Sequence, residues 1–487
     1  MRLPIETFKN DSERMRDGYY SDDYFENQRQ ILETLAKEGY QLDGVDIGDI
    51  EVCMQVFTRR ESFSIVAGTD NALSILRECT GVYTNTPIAN EPPMLGEEKK
   101  LVFNLTNTRP KWINTSHDLD ITCVHDGEKV GKWDPVMHIR GRYRDFANLE
   151  TLYLGVLAKQ TRVATNVYNT LVASGGKPVL FFPARFEPWQ LQAMSGYAYK
   201  VAVDKYNYDF GKKVSPAVST HGQADWWHGT GGGTIAHAYL LCFMKHEVEA
   251  MVQYARIAPV RNKRVFLCDV DNDCVNSSVN VARVMWAKYV ECIIEGRPKE
   301  AEKYKLFGVR PDTGGNMVDK SIEVLGDPKL DCGVNPRLVR NIREALDGLI
   351  PHNTRQSQIG DLYYELTSRH RRDGVGKCEL WQTLDLKTYQ DRMGEHIDDI
   401  LNYFRDIKIV VTGGFNPEKI AMFERMGVPA DIYGVGSSLI EGENNDYTAD
   451  IVAIKIEGEW KPMSKIGRSE KPFTTEAEKI KWEPLDE

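Results

Sequence analysis

The chain has 487 residues with 41 % hydrophobic and 27 % charged side chains, the balance of a globular protein in water, and its length predicts about two or three domains. With 39 glycines and 21 prolines and no periodic repeat, collagen-like and low-complexity readings fall away. A net charge of −10 argues against a general nucleic-acid or membrane-surface binder, and no run of about 18 apolar residues predicts a membrane span.

In chain order, residues 1 to 145 read as mixed, with strand-like runs near 51–58 and 134–139 and helices near 25–37 and 70–79. A polar, proline-bearing stretch at 84–115 reads as an insertion or long loop. From Phe146 a helical pattern begins, carried by Leu149, Leu152, Tyr153, Val156 and Leu157. Strands and helices then alternate: Arg264–Asp269, a helix over 277–294, Phe307–Asp312, and a helix opened by Asn335-Pro336 and running to about 347. After a second polar block at 352–402, Lys408–Thr412 is strand-like. Asn416-Pro417-Glu418 starts a helix that Gly427 stops, and Asp431–Tyr433 is the last strand of the series. Such alternation predicts parallel strands with helical crossovers. The charged tail beyond Gly458 reads as packing on the surface.

The N-terminus shows no apolar signal core, and the nine cysteines are scattered. Cys268 and Cys274, the closest pair, have neither zinc-knuckle nor C-x-x-C spacing. A reduced, cytoplasmic setting is the expectation.

Two glycine-rich turns, Thr412-Gly413-Gly414 and Gly434-Val435-Gly436-Ser437-Ser438, follow the last two strands. Loops after the final strands of βα barrels commonly hold phosphate, because glycines let backbone N–H groups approach the anion. Without a third glycine at the required spacing, neither is a dinucleotide fingerprint. Asp269, Asp271 and Asp273 cluster after one strand and Asp312 follows another. Asp269 and Asp312 read as oxygen ligands for Mg²⁺, whereas Asp273 reads as the cap of the helix at about 277. His237 stands just beyond the run Gly229–Thr234, placed as nucleophile, base or anion contact. Arg185 and Phe186 offer a guanidinium and a flat ring, and Tyr19 lies in an aromatic cluster at residues 19–25. The basic run 369–372 reads as a solvated loop.

Taken in order, these pieces resemble the nicotinate phosphoribosyltransferase family, to which nicotinamide phosphoribosyltransferase is related. The resemblance rests above all on Gly233-Thr234-Ile235-Ala236-His237, Arg310-Pro311-Asp312-Thr313-Gly314, Gly413-Gly414-Phe415-Asn416 and Tyr433-Gly434-Val435-Gly436-Ser437. It implies an α/β fold: an irregular α/β barrel over 146–444, interrupted at about 352–402, beside an open α+β domain built from 1–145 and the returning tail 445–487. It also implies a cytoplasmic homodimer with shared active sites that joins nicotinate to phosphoribosyl pyrophosphate (PRPP) in NAD salvage. Mg²⁺ and ATP would take part, ATP through a phosphorylated His237. The same resemblance places Tyr19, Arg185, Phe186, Thr234 and Arg310 on the substrates. Gly413, Gly414, Gly434, Gly436 and Ser437 fall on the 5′-phosphate, and Asp269 and Asp312 on Mg²⁺. Ala236 stands where some relatives carry an acid. Nicotinamide or quinolinate as acceptor remains open, as does a phosphate-binding barrel isomerase or aldolase with Lys263 as its base.

Overall fold

The run Glu51–Thr58 lies at the centre of a six-stranded sheet in the computed structural model, which describes residues 2–83, 111–368 and 386–484. The chain divides into two units. The first holds residues up to Tyr168, Ala198–Lys205 and everything from Glu441 onward. Its sheet is antiparallel, in the order Glu459–Pro462, Tyr447–Ile456, Glu51–Thr58, Pro135–Arg142, Asp120–Val124 and Ala477–Ile480. One face of it presents Val52, Met54, Val56, Ile121, Met137 and Ile139 to Ala72, Leu73 and Leu76 of the Thr69–Cys79 helix, and to Phe146, Leu149, Tyr153 and Leu157. Alternation of side chains along each strand puts these residues on one face and Cys53, Gln55, His138 and Arg140 on the other.

That second face is not left to water. The tail expected to lie on the surface supplies two strands of the sheet and, between them, a strap over residues 463–476. Met463 N–H donates to the Val452 carbonyl at 3.1 Å and Lys471 N–H to Gln55 Oε1 at 2.7 Å. The Arg468 guanidinium sits 4.0 Å from the centre of the Trp133 ring, and Thr474 Oγ1 donates to Asp134 at 3.0 Å. The strap explains why Val52 through Thr58 are all buried, where a sheet with one wet face would alternate.

The second unit holds Asn169–Tyr197 and Tyr206–Ile440. Five parallel strands lie in the order Val179–Phe181, Ile432–Val435, Lys408–Val411, Leu306–Arg310 and Arg264–Leu267. Their near-continuous apolar sequences are what burial on both faces demands. The fold is therefore α/β, an irregular α/β barrel carried by these strands and their helices, with a separate α+β domain to which the tail returns.

Local chemistry sets several boundaries. The Asn335 side chain accepts Leu338 N–H at 3.0 Å and the Asn416 side chain accepts Lys419 N–H at 2.9 Å, each followed by proline in the first turn. Gly427 takes the left-handed conformation (φ 58°) at the end of its helix. The helix expected from 277 begins earlier, spanning Cys274–Ile294. Asp273 makes no capping bond there; Asp319, 45 residues further on, accepts the Cys274 N–H at 2.8 Å.

Of the stretch 84–115, residues 84–110 lie outside the described residues, and Trp112–Asn114 is a strand paired with Gly81–Tyr83. Of the block 352–402, residues 369–385, with the basic run, also lie outside; its flanks form the helices Ile359–Thr367, Leu386–Gly394 and Ile397–Asp406. The last of these is anchored by buried Trp286, whose indole N–H donates to the Ile400 carbonyl at 3.0 Å. Among the described residues no helix is long and apolar enough to cross a membrane, and no disulfide forms.

Candidate active site

Parallel strands all point their C-terminal ends the same way, so the five loops that follow them open on one side. Read across the sheet, those ends carry Pro183–Phe186, Gly436-Ser437, Thr412–Gly414, Arg310–Asp312 and Asp269. Ligands gather at this end in open α/β sheets and barrels alike. Lys263 precedes its strand and so stands at the opposite end, its ammonium 4.0 Å from the centre of the Phe307 ring. The aldolase-type role for Lys263 is thereby removed.

His237 opens the short helix His237–Cys242, and its Nε2 lies 3.1 Å from Asp269 Oδ1. The carboxylate accepts, so Nε2–H donates to it and Nδ1 is the ring nitrogen left outside this pair. The Asp269 side chain is 9 % exposed against 45 % for His237, so the acid is the fixed partner and the imidazole the accessible one. Burial pushes the Asp269 carboxyl up, His237 opposes this, and the nearby charge of Asp312 adds to it. Asp271 is taken by an ion pair with Lys245.

Asp312 belongs to a small knot. Its Oδ1 accepts the Thr412 hydroxyl at 2.7 Å, and its Oδ2 lies 3.4 Å from Arg310 Nη1. Arg310 also reaches Thr412 Oγ1 at 3.4 Å and, through Nη2, the Ile235 carbonyl at 3.3 Å. Two neighbouring strand ends and the segment leading to His237 are thus held by one guanidinium. Thr234 is part of that segment and turns its hydroxyl to the Ile235 carbonyl at 3.2 Å. Burial holds Arg310 below its ordinary value against the pull of Asp312 and Asp269, and Arg185 pushes it the same way as burial.

The glycines serve two purposes. Gly413 and Gly414 have φ of 91° and 67°, a left-handed turn that leaves their backbone exposed beside Asp312. Gly434 and Gly436 have no such φ; they are small because aromatic rings lie on them. A Cβ on Gly434 would stand 2.5 Å from Thr412 Cγ2 and 3.2 Å from the Phe182 ring, and one on Gly436 would stand 2.7 Å from Phe186 Cε2. Phe186 is 48 % exposed, one edge on this backbone and the other open. Ser437 starts a single helical turn, and the neighbouring Ser438 hydroxyl donates to the Phe415 carbonyl at 3.0 Å, tying the last two loops together.

The sequence reading missed Lys419. Its ammonium donates to the Gly413 carbonyl at 3.3 Å and lies 4.2 Å from the centre of the Phe415 ring. Burial pushes it down to about 8. A cation in the first turn of a helix opposes the macrodipole, and that misplacement is the signal that could have found it. Tyr19 belongs to the other unit, where it is exposed with its ring 5.0 Å from that of Tyr20.

Residues 112–161 match the family model of the quinolinate phosphoribosyl transferase N-terminal domain. No curated protein matches the chain by sequence. Among solved structures, nicotinate-nucleotide pyrophosphorylase from Pyrococcus furiosus is similar over 95 % of this chain and 80 % of its own, with 19 % identity and a TM-score of 0.57. Human nicotinic acid phosphoribosyltransferase aligns over 89 % of this chain and 75 % of its own (13 % identity, TM-score 0.47). The nicotinate-nucleotide pyrophosphorylase from Francisella tularensis aligns over 86 % and 96 % (11 % identity, TM-score 0.38). This chain has the fold of the Pyrococcus pyrophosphorylase.

Proposed function

We propose that the chain is a pyridine phosphoribosyltransferase, and that its acceptor is nicotinate, giving nicotinate mononucleotide and pyrophosphate from PRPP. The observation that carries this reading is the Arg310–Asp312–Thr412 knot beside the left-handed Gly413-Gly414 turn, with the His237–Asp269 pair on the next strand end.

The ring nitrogen of nicotinate is already nucleophilic, so the site needs positioning and charge more than acid–base work. The backbone of Gly413 and Gly414, with Ser437 and the ammonium of Lys419, would hold the 5′-phosphate. Phe186 would form one wall of the base slot, and Arg185 with Arg310 would face the carboxylate. Tyr19 of a second copy would form the other wall in a homodimer. Asp269 and Asp312 fit Mg²⁺, since they lie close enough for the negative charge of Asp312 to push the Asp269 carboxyl up, and paired hard oxygen donors suit this ion. When bound, Mg²⁺ neutralises charge on the departing pyrophosphate. Nδ1 of His237, the ring nitrogen not bonded to Asp269, would take the γ-phosphoryl of ATP as the bond to ADP breaks, coupling ATP hydrolysis to turnover.

A second reading takes quinolinate as acceptor. It is favoured by the family match over 112–161 and by two arginines near enough to sense each other, which suits a base with two carboxylates. Purified protein with PRPP, Mg²⁺ and each of nicotinate, nicotinamide and quinolinate, with and without ATP, separates the readings by pyrophosphate release. Release with nicotinate and stimulation by ATP are the expected outcomes. Release with quinolinate alone supports the second reading, and the failure of all three bases to release pyrophosphate overturns both.

A further inference from the structure

Where the strap crosses the six-stranded sheet, three side chains of different ligand chemistry meet. The register pairs Cys53 with Arg140 and Gln55 with His138, so Cys53 and His138 are diagonal neighbours on the outer face. Glu470 reaches them from the strap. One donor atom from each, sulfur, ring nitrogen and carboxylate oxygen, lies within 4.8 Å of the others. Cys53 and His138 are buried, while Glu470 opens to water.

The hydrogen bonds around His138 decide which nitrogen faces the cluster. Lys471 N–H donates to Gln55 Oε1 at 2.7 Å, so that atom is an acceptor. His138 Nε2 lies 3.2 Å from the same oxygen and must donate to it, which leaves the lone pair on Nδ1. Nδ1 lies 3.7 Å from Glu470 Oε1. A lone pair and a carboxylate therefore face each other across a short gap with a thiol alongside, and a cation completes such an arrangement. Gln55 is the outer partner that commonly orients a ligating imidazole. Arg140 donates to Glu470 Oε1 at 2.5 Å, and a carboxylate with two oxygens can keep that bond while ligating.

We propose that Cys53, His138 and Glu470 form a zinc site that fastens the C-terminal strap to the sheet, with water as the fourth ligand. Sulfur, nitrogen and oxygen donors together select a zinc-like ion over Mg²⁺ or Ca²⁺. Binding breaks the Cys53 S–H bond, forms a thiolate–metal bond and releases the proton to solvent, so affinity rises with pH.

The test is a Co²⁺ titration of the full chain after chelator treatment. A thiolate-to-cobalt charge-transfer band that saturates at one Co²⁺ and is displaced by Zn²⁺ is expected, whatever Co²⁺ binds elsewhere without the band. The band should vanish in Cys53→Ala, and Glu470→Gln, which removes one charged ligand at an exposed side chain, should weaken Co²⁺ binding by about tenfold or more. Absence of the band in the wild type, a band of undiminished strength in Cys53→Ala, or unchanged affinity in Glu470→Gln would each overturn the proposal. Should Cys53→Ala not fold, the wild-type band and Glu470→Gln decide.

Discussion

Lys419 carries a cation where its own helix disfavours one. Its ammonium sits in the first turn of a helix, half-buried and pushed down to about 8, where a bound phosphate would restore its charge. A lowered lysine is cationic below its pKa and neutral above it, so anion binding should weaken as pH rises through about 8. The KM for PRPP should climb over that interval in the wild type and stay flat in Lys419→Arg, whose guanidinium keeps its proton. A flat wild-type profile would remove Lys419 from the phosphate site. His237 and its carboxylate partner give the second prediction at this scale. His237→Ala should cut ATP-dependent stimulation more than basal pyrophosphate release, and steady-state rates with and without ATP measure the difference; equal losses would sink the phosphohistidine role. The strand-end positions of Asp269 and Asp312 were legible because each follows a short apolar run, and His237 stood out through the glycine run before it. Lys419 was not, because its burial comes from Phe415 and the Gly413 loop, which only the folded backbone brings to it.

Among elements, the strands and helices were readable wherever an apolar period coincided with a local cap. Asn335-Pro336 and Asn416-Pro417 open their helices as their sequences require. The start of the Cys274–Ile294 helix was misread because its cap, Asp319, arrives from 45 residues away and leaves no mark beside the helix. The glycines of the last strand were read as turn formers, whereas Gly434 and Gly436 make room for Phe182 and Phe186. Gly434→Ala should therefore destabilise the barrel unit by about 1–3 kcal/mol, because Thr412 and the Phe182 ring must shift. Gly436→Ala meets the edge of Phe186 that lies on this backbone, and the half-exposed ring can swing toward its open side, so the change should raise the KM for the base with little change in Tm. Denaturation midpoints and KM values separate the two effects. At the start of the Glu150–Ala173 helix, burial, with Asp450 and Asp22 adding to it, pushes Glu150 up to about 8. The folded state then binds a proton that the unfolded chain releases near pH 4.5, so this residue costs stability as pH rises from about 5 to 8. Glu150→Gln should lift Tm at pH 9 by about 2–4 °C, the scale of 1 kcal/mol in a unit of this size, with little effect at pH 5. Equal shifts at both pH values would contradict the assignment.

At the scale of the whole molecule, the charge of −10 and the polyanionic ligands proposed for it fit together only if positive potential is local. The structure supplies Arg310, Arg185 and Lys419 at the C-terminal ends of the parallel strands, together with exposed backbone at Gly413 and Gly414. The parallel architecture was legible from the alternation of apolar runs and capped helices. The strap was not: residues 463–476 are polar and irregular, and their place follows from partners such as Gln55, Trp133 and Asp134 hundreds of residues away. Asp312 tests the central claim most directly, since it is joined to Arg310 and Thr412 and lies beside the turn proposed to hold the phosphate. Pyrophosphate release from PRPP, Mg²⁺ and nicotinate should fall by about 10²–10³-fold in Asp312→Ala while the thermal midpoint stays within a few degrees of the wild type. A variant that keeps wild-type release would contradict the account.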